Sequence, residues 1–417
     1  MMTSNTMKRN ALIGITLSLL SIYNAGAQTI STAELKKHIT ILASDKMEGR
    51  GSGKKGGELA ADYIASQFKV LKLVSKGETK DYFQRFELRN SGTHGAVDTT
   101  TRTTKNVIGY LDNGARETII IGAHYDHLGM GHDGGSLDTS PLGKIHNGAD
   151  DNASGVAGVL ELAKYYSQNK EKEKVNFLFI CFSGEEMGLL GSKYFTDHPT
   201  IDLSKIDCML NMDMIGRLPE NKTLIVSGIG TSPSWGNILR KYESDKLKAS
   251  FDSSGIGASD HTSFYLKNIP VLHFFTGSHS DYHKPGDDAD KINYVGEQIV
   301  LQYIIQVISD IAVLPHLAFT PTKTNSNQSA SVSMKVTMGI MPSYASDGNG
   351  LKVDAVSENK PAKKAGVLAG DVIVAIDEHK VTDIHTYMEA LNFYEKGASA
   401  QVKIRRGTET VTLTVQF

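Results

Sequence analysis

Ile119-Ile-Ile-Gly-Ala-His124-Tyr-Asp126-His127-Leu-Gly129 is the stretch from which the rest of the chain can be read. Its β-branched run, bounded by glycine, predicts a buried strand over Thr118–Ala123. The strand delivers His124 to its C-terminal end, with Asp126 two residues on and on the same side. In an open α/β sheet, ligands bind at that rim. A metal-ligating imidazole needs an acceptor for its other ring nitrogen, and Asp126 is spaced to be one for His124.

Later stretches repeat the pattern. Asn147-Gly-Ala-Asp150-Asp151-Asn152 leads into an apolar helix over 157–166, and two adjacent aspartates exceed what one N-cap requires. The apolar strand over 175–182 runs into Ser183-Gly184-Glu185-Glu186, and Asp213 sits inside the apolar run Cys208–Ile215. A buried carboxylate there must be paired, protonated or metal-bound. Ser280-Asp281-Tyr282-His283 follows another strand, over 271–275, and a long helix over 294–314 closes the unit. Strands alternating with helices predict an α/β fold, with a mostly parallel central sheet and helices on both faces. The boundaries are 28–318 for this domain, 319–333 for a linker rich in Thr, Ser and Asn, and 334–417 for a small β-rich module.

Lys8 and Arg9 precede an apolar stretch, 11–22, and Ala25-Gly26-Ala27 offers a cleavage site. Residues 1–27 therefore read as a signal peptide, and the mature chain as exported, periplasmic or secreted, with no membrane span. A formal net charge of -2 gives no reason to expect nucleic-acid binding. Cys181 and Cys208 read as buried thiols, with one disulfide left open by an exported location. Two cysteines exclude a cysteine-rich zinc site. The glycine-rich Met47–Gly53 lacks a phosphate-binding pattern and reads as a connecting turn; His132 and His146 read as solvated loop residues.

The acids and imidazoles at strand ends or in the loops beside them are His124, Asp150, Glu185, Glu186, Asp213 and His283. They divide into one bridging carboxylate, Asp150, with His124 and Asp213 for one ion and His283 and Glu186 for the other. Nitrogen and oxygen donors without thiolate suit Zn²⁺, with Mn²⁺ or Co²⁺ as substitutes. With five separate segments contributing, spacing alone does not prove this arrangement.

GAHYDHLG, NGADDNASG, FSGEEMGLLGS, LNMDMIG and DYHKPGDD, in that order, resemble the co-catalytic zinc aminopeptidases of bacterial secreted and vacuolar type, over about residues 30–314. The resemblance implies the same ligand set and two zinc ions. It also implies Glu185 as general base, Tyr282 as oxyanion stabiliser, Asp126 as the acid behind His124, and Asp287 behind His283. Water held between two dications is acidified, Glu185 moves its proton to the leaving amine, and peptides with a free N-terminus are the implied substrates. The family's frequent inserted domain has no room between Leu88 and Asn106.

The module over 334–417, with Ala365-Gly-Val-Leu-Ala-Gly370-Asp371, resembles a PDZ domain of bacterial protease-associated type. Gly339 and Ile340 occupy the place of its carboxylate-binding loop, which implies a peptide or protein ligand. Pro342 removes a donor beside that loop. Three other readings stay open: a metallo-carboxypeptidase, a single-zinc glutaminyl cyclase on the same scaffold, and a PDZ peptide-binding protein with a vestigial metal site.

Overall fold

The computed structural model describes residues 1, 29–88, 102–133, 135–169, 172–322, 336–342, 349–356, 360–382 and 384–417. The expected signal peptide lies outside the described residues apart from Met1, as does most of the expected linker. The chain opens on α1 (Thr32–Leu42) and α2 (Lys55–Val70). Ser31 caps α1 by accepting the Glu34 amide at 3.3 Å. Then come β1 (Val74–Ser75), β2 (Phe83–Leu88), β3 (Arg102–Leu111) and β4 (Thr118–His124). They are followed by α3 (Gly155–Gln168), β5 (Asn176–Phe182), α4 (Leu190–Asp197), β6 (Ile206–Met212) and β7 (Thr223–Ser227). The domain ends with α5 (Trp235–Arg240), β8 (Lys248–Asp252), α6 (His261–Tyr265), β9 (Val271–Phe275) and α7 (Tyr294–Ile311).

The strands form one sheet in the order β1-β3-β5-β4-β6-β9-β7-β8, with β2 beside β3. Its centre, β5-β4-β6-β9, is parallel. The flanks are not: β3 meets β5, and β7 meets β9, antiparallel. The sheet is thus mixed, with the expected parallel strands at its centre and antiparallel pairs at its flanks. The six residues 112–117 between β3 and β4 are too few for the crossover that a parallel neighbour requires, and β5 inserts between the two strands instead.

Helices cover both faces, as expected. Ile119 and Ile121 of β4 pack into one core with α1, α2, α3 and α7, whereas Ile120 packs on the other side with Phe195 of α4 and Phe264 of α6. Every residue of β4, β5, β6 and β9 is buried, as strands covered on both faces must be. This parallel centre brings four C-terminal strand ends to one rim. Cys181 pairs with Ala123 and Cys208 with Ile119, so β4 lies between the cysteines, and both are free thiols. No helix among the described residues is long and apolar enough to cross a membrane.

The C-terminal module has its own core. It contains β10 (Ile340–Pro342), β11 (Leu351–Val356), α8 (Pro361–Ala365), β12 (Val372–Ile376), β13 (His379–Lys380), α9 (Ile384–Leu391), β14 (Ser399–Arg406) and β15 (Glu409–Gln416). The antiparallel sheet runs β10-β11-β12-β14-β15, with β13 on β12.

Candidate metal centre

His124, the last residue of β4, is buried and points its two nitrogens in different directions. Nδ1 lies 3.1 Å from the Asp126 carbonyl and 3.7 Å from its Oδ1. Nε2 lies 3.3 Å from Asp213 Oδ1 and 3.4 Å from Asp151 Oδ1. His283, in the loop after β9, repeats the design. Its Nδ1 faces the Gly135 carbonyl at 2.9 Å, and its Nε2 lies 3.1 Å from both Asp151 Oδ2 and Glu186 Oε2. Asp151 therefore presents one oxygen to each imidazole. Glu185 Oε2 stands 4.0 Å from His124 Nε2, beside these donors.

The position between the two imidazoles is taken by Asp151 and not by Asp150, the residue expected there. Asp150 Oδ1 accepts the Gly216 amide at 2.7 Å and the Ser154 hydroxyl at 3.1 Å, while Oδ2 faces His279 Nε2 at 3.3 Å. The turn that separates the two aspartates is fixed from outside the motif: Asp287 Oδ2 accepts the amides of both Asp150 and Asp151, at 2.9 and 3.0 Å. Asp287 Oδ1 in turn holds Arg217 at 2.7 Å. Asp287 thus orients the Asp150–Asp151 turn, and the acceptor behind His283 is Gly135. Asp126 does stand behind His124, and it is further anchored by the Ser52 hydroxyl at 2.7 Å and the Glu185 amide at 3.2 Å.

The glycine-rich Met47–Gly53 is more than a connection. Arg50 is completely buried and donates to the carbonyls of Tyr125, Leu42, Asn147, Gly148 and Asp151. It ties the segment after His124 to the loop that carries Asp151. An arginine between glycines in a polar stretch gives no periodic sign of burial, so the sequence hides this role. His146 is likewise buried rather than solvated, and lies 2.7 Å from the Ser136 hydroxyl.

The electrostatics call for cations. Burial drives the Asp151 carboxyl upward and the Glu186 charge adds to the rise. Burial disfavours protonation of His124 and His283, yet both are held well above the usual imidazole range, by Asp213 and Glu185 in one case and by Glu186 and Asp151 in the other. Asp151, which is buried, and the largely covered Glu186 and Asp213 thus share one knot, and no Lys or Arg is among the described residues that form it. Asp151 Oδ2 and His283 Nε2 are buried with no hydrogen-bond partner despite lying 3.1 Å apart. Such atoms aim lone pairs at a common point rather than at each other. Zinc at 2.0–2.1 Å from each donor in a tetrahedral shell sets donors about 3.3 Å apart. The four His–carboxylate separations, 3.1, 3.1, 3.3 and 3.4 Å, fit that spacing.

Burial, reinforced by the charges of Glu186, Asp213 and Asp260, holds the Glu185 carboxyl well above the usual carboxylate range, against the pull of His124. Tyr282 stacks on His283 with ring centroids 3.9 Å apart and lines the same pocket. Asp260 and His261 are fully buried, and the adjacent pocket wall comes from Ala258 and His273. In the C-terminal module, Gly339 adopts a φ of +72°, and an added Cβ there would strike Lys360. The Ala362 amide donates to the Met338 carbonyl beside it.

Comparison with known proteins agrees with this geometry. The profile of peptidase family M28 matches residues 106–308, the span that carries every donor above. The likeness to peptidase family M28 is confined to that span. A PDZ domain matches residues 332–417. The chain is 31% identical to leucine aminopeptidase 2 of Arthroderma otae over 227 residues, 46% of this chain and 41% of that protein. It is 29% identical to aminopeptidase YwaD of Bacillus subtilis over 210 residues, 46% of this chain and 42% of that one. The chain therefore spans about two fifths of the length of these curated relatives. In fold it is similar to a Zn-dependent exopeptidase from Parabacteroides distasonis, with a TM-score of 0.56 at 20% identity, covering 68% of this chain and 99% of that one. A glutaminyl cyclase from Bacteroides thetaiotaomicron has a TM-score of 0.54 at 18% identity, with coverage of 68% and 99%.

Proposed function

We propose that this chain is an exported zinc aminopeptidase that removes N-terminal residues from peptides, works with two zinc ions, and uses its PDZ domain to bound the substrate cleft. The observation that carries the reading is Asp151, one oxygen to each of two imidazoles, with Glu185 alongside and outside the donor set. His124 and Asp213 would hold one ion, His283 and Glu186 the other, and Asp151 both. Zinc there would supply Lewis acidity and make an attacking water more acidic. Glu185, poised high by its surroundings, takes a proton and returns it to the leaving amine. Tyr282 stands at the pocket to donate to a developing oxyanion. Export rests on Lys8, Arg9 and the apolar stretch behind them.

Asp151, Glu185 and Asp213 line the pocket, which favours a substrate's ammonium group. None of the described residues lining it is Lys or Arg, and a carboxypeptidase would need such a cation. The test is hydrolysis of leucyl-anilide and of the same compound N-acetylated. The free form is cleaved, the blocked form is not, a zinc chelator abolishes turnover, and metal analysis finds two zinc ions per chain. One zinc, with cyclisation of N-terminal glutamine, would make the protein a cyclase. Equal cleavage of the blocked compound would remove the aminopeptidase reading.

The PDZ role rests on a cleft of about 520 Å³ at the mouth of the metal pocket. Tyr282 and Ser278 line both spaces, and the far wall includes Val367 and Leu368 of the PDZ domain. Leu368 is half exposed there. A peptide running out of the metal pocket meets this wall beyond its first residues. Leu368→Asp should lower kcat/KM for a tetrapeptide roughly five- to tenfold, the loss of about 1–1.4 kcal/mol of apolar contact. The anilide, which stops short of the wall, should react as in the wild type. A tetrapeptide indifferent to the change would show that the PDZ domain does not touch substrate.

A further inference from the structure

His127 lies three residues past His124, is buried, and joins Asp151, Glu186 and His283 in a group whose ligand atoms all lie within 4.8 Å of one another. Proximity alone makes it a fourth donor to that ion. The separations argue otherwise. Donors sharing a tetrahedral zinc stand about 3.3 Å apart. His283 Nε2 meets this spacing, at 3.1 Å from both carboxylates. His127 Nδ1 lies 2.8 Å from Glu186 Oε1, the length of a hydrogen bond to a charged acceptor, and 3.7 Å from Asp151 Oδ2.

Glu186 divides its oxygens accordingly: Oε1 faces His127 and Oε2 faces His283. The outer ring nitrogens give an independent indication. His124 and His283 each turn Nδ1 toward an acceptor, the arrangement that leaves Nε2 free to hold a metal. His127 has no such support. Its outer nitrogen, Nε2, is buried without a hydrogen-bond partner, and its ring packs so closely on Gly148 that a Cβ there would come within 2.5 Å of it. A proton on that nitrogen would have no acceptor, so the proton of the neutral ring belongs on Nδ1, facing Glu186.

We infer that His127 is not a metal ligand but a positioning residue: its Nδ1–H holds Glu186 Oε1, so that Glu186 meets its ion through Oε2 alone. The inference rests on the zinc reading of the cluster. Its consequence is one protein donor fewer at that ion, which leaves a position there for substrate. Two substitutions separate the roles. Asn places an amide N–H near the position of Nδ1, and Leu removes the donor.

X-ray absorption on the wild-type protein loaded with zinc counts imidazoles, and chelator competition measures affinity at each site. The expected results are two imidazoles per two zinc ions in wild type and in His127→Asn. His127→Leu should bind one of the two ions 10- to 100-fold more weakly, with most of that loss recovered in His127→Asn. Three imidazoles in wild type, falling to two in His127→Asn, would overturn the inference. So would unaltered affinity at both sites in His127→Leu. The wild-type count decides the question even where the Leu variant does not fold. Wild-type protein that takes up no zinc would overturn the metal reading, and this inference with it, at the first measurement.

Discussion

Glu185→Gln should keep both zinc ions and lose a factor of about 10²–10⁴ in kcat, the usual contribution of a positioned general base, or about 2.7–5.5 kcal/mol of barrier. The substitution isolates the proton from everything else Glu185 does. Its backbone amide is fixed by Asp126 Oδ1 at 3.2 Å, and the amide side chain keeps the volume of the acid, so the rim is undisturbed. Its Oε2 stands 4.0 Å from His124 Nε2, beyond the 3.1–3.4 Å that separates the metal donors, so zinc content should not fall. The checks are steady-state hydrolysis of leucyl-anilide at neutral pH and metal analysis of the same preparation. A variant within threefold of wild-type kcat would show that Glu185 is not the base. A variant that loses zinc would make it a ligand instead.

The second large effect sets two adjacent residues against each other. Asp151→Ala should reduce zinc from two ions to one or none and lower activity by at least about 10³-fold, because it removes a donor from each ion at once. Asp150→Asn should keep two ions and lose less than about tenfold. Its Oδ1 contacts, to the Gly216 amide and the Ser154 hydroxyl, can be met equally by an amide oxygen. The contrast matters more than either value. If Asp150→Asn strips the metal while Asp151→Ala retains two ions, the bridge belongs to Asp150 after all.

That choice shows where reading a sequence stops. The strand ends were legible because burial on both faces leaves continuous apolar runs, and a charged residue at the end of such a run stands out. His124, Glu186 and Asp213 stand out that way, His283 follows in the loop beyond another such strand, and the four lie together. Asp150 and Asp151 are indistinguishable by that signal. What parts them is a turn held by Asp287, more than a hundred residues later, which accepts both of their amides. The resemblance implies Asp287 behind His283, while the acceptor found there, Gly135, is a backbone carbonyl that no side-chain pattern reveals. The antiparallel flanks of the sheet escaped for a related reason: pairing direction depends on which strands become neighbours, and alternation of strands and helices does not report it.

Arg50 carries a practical lesson about dissecting this protein. Its guanidinium is fully buried with five backbone oxygens around it, and those oxygens belong to Leu42 and to the two loops that carry His127 and Asp151. A fragment trimmed to the span matched by the family profile, residues 106–308, would keep every candidate metal donor and discard this clamp. The minimal working unit therefore begins well upstream of the sequence that names it, at the helices that look like packing.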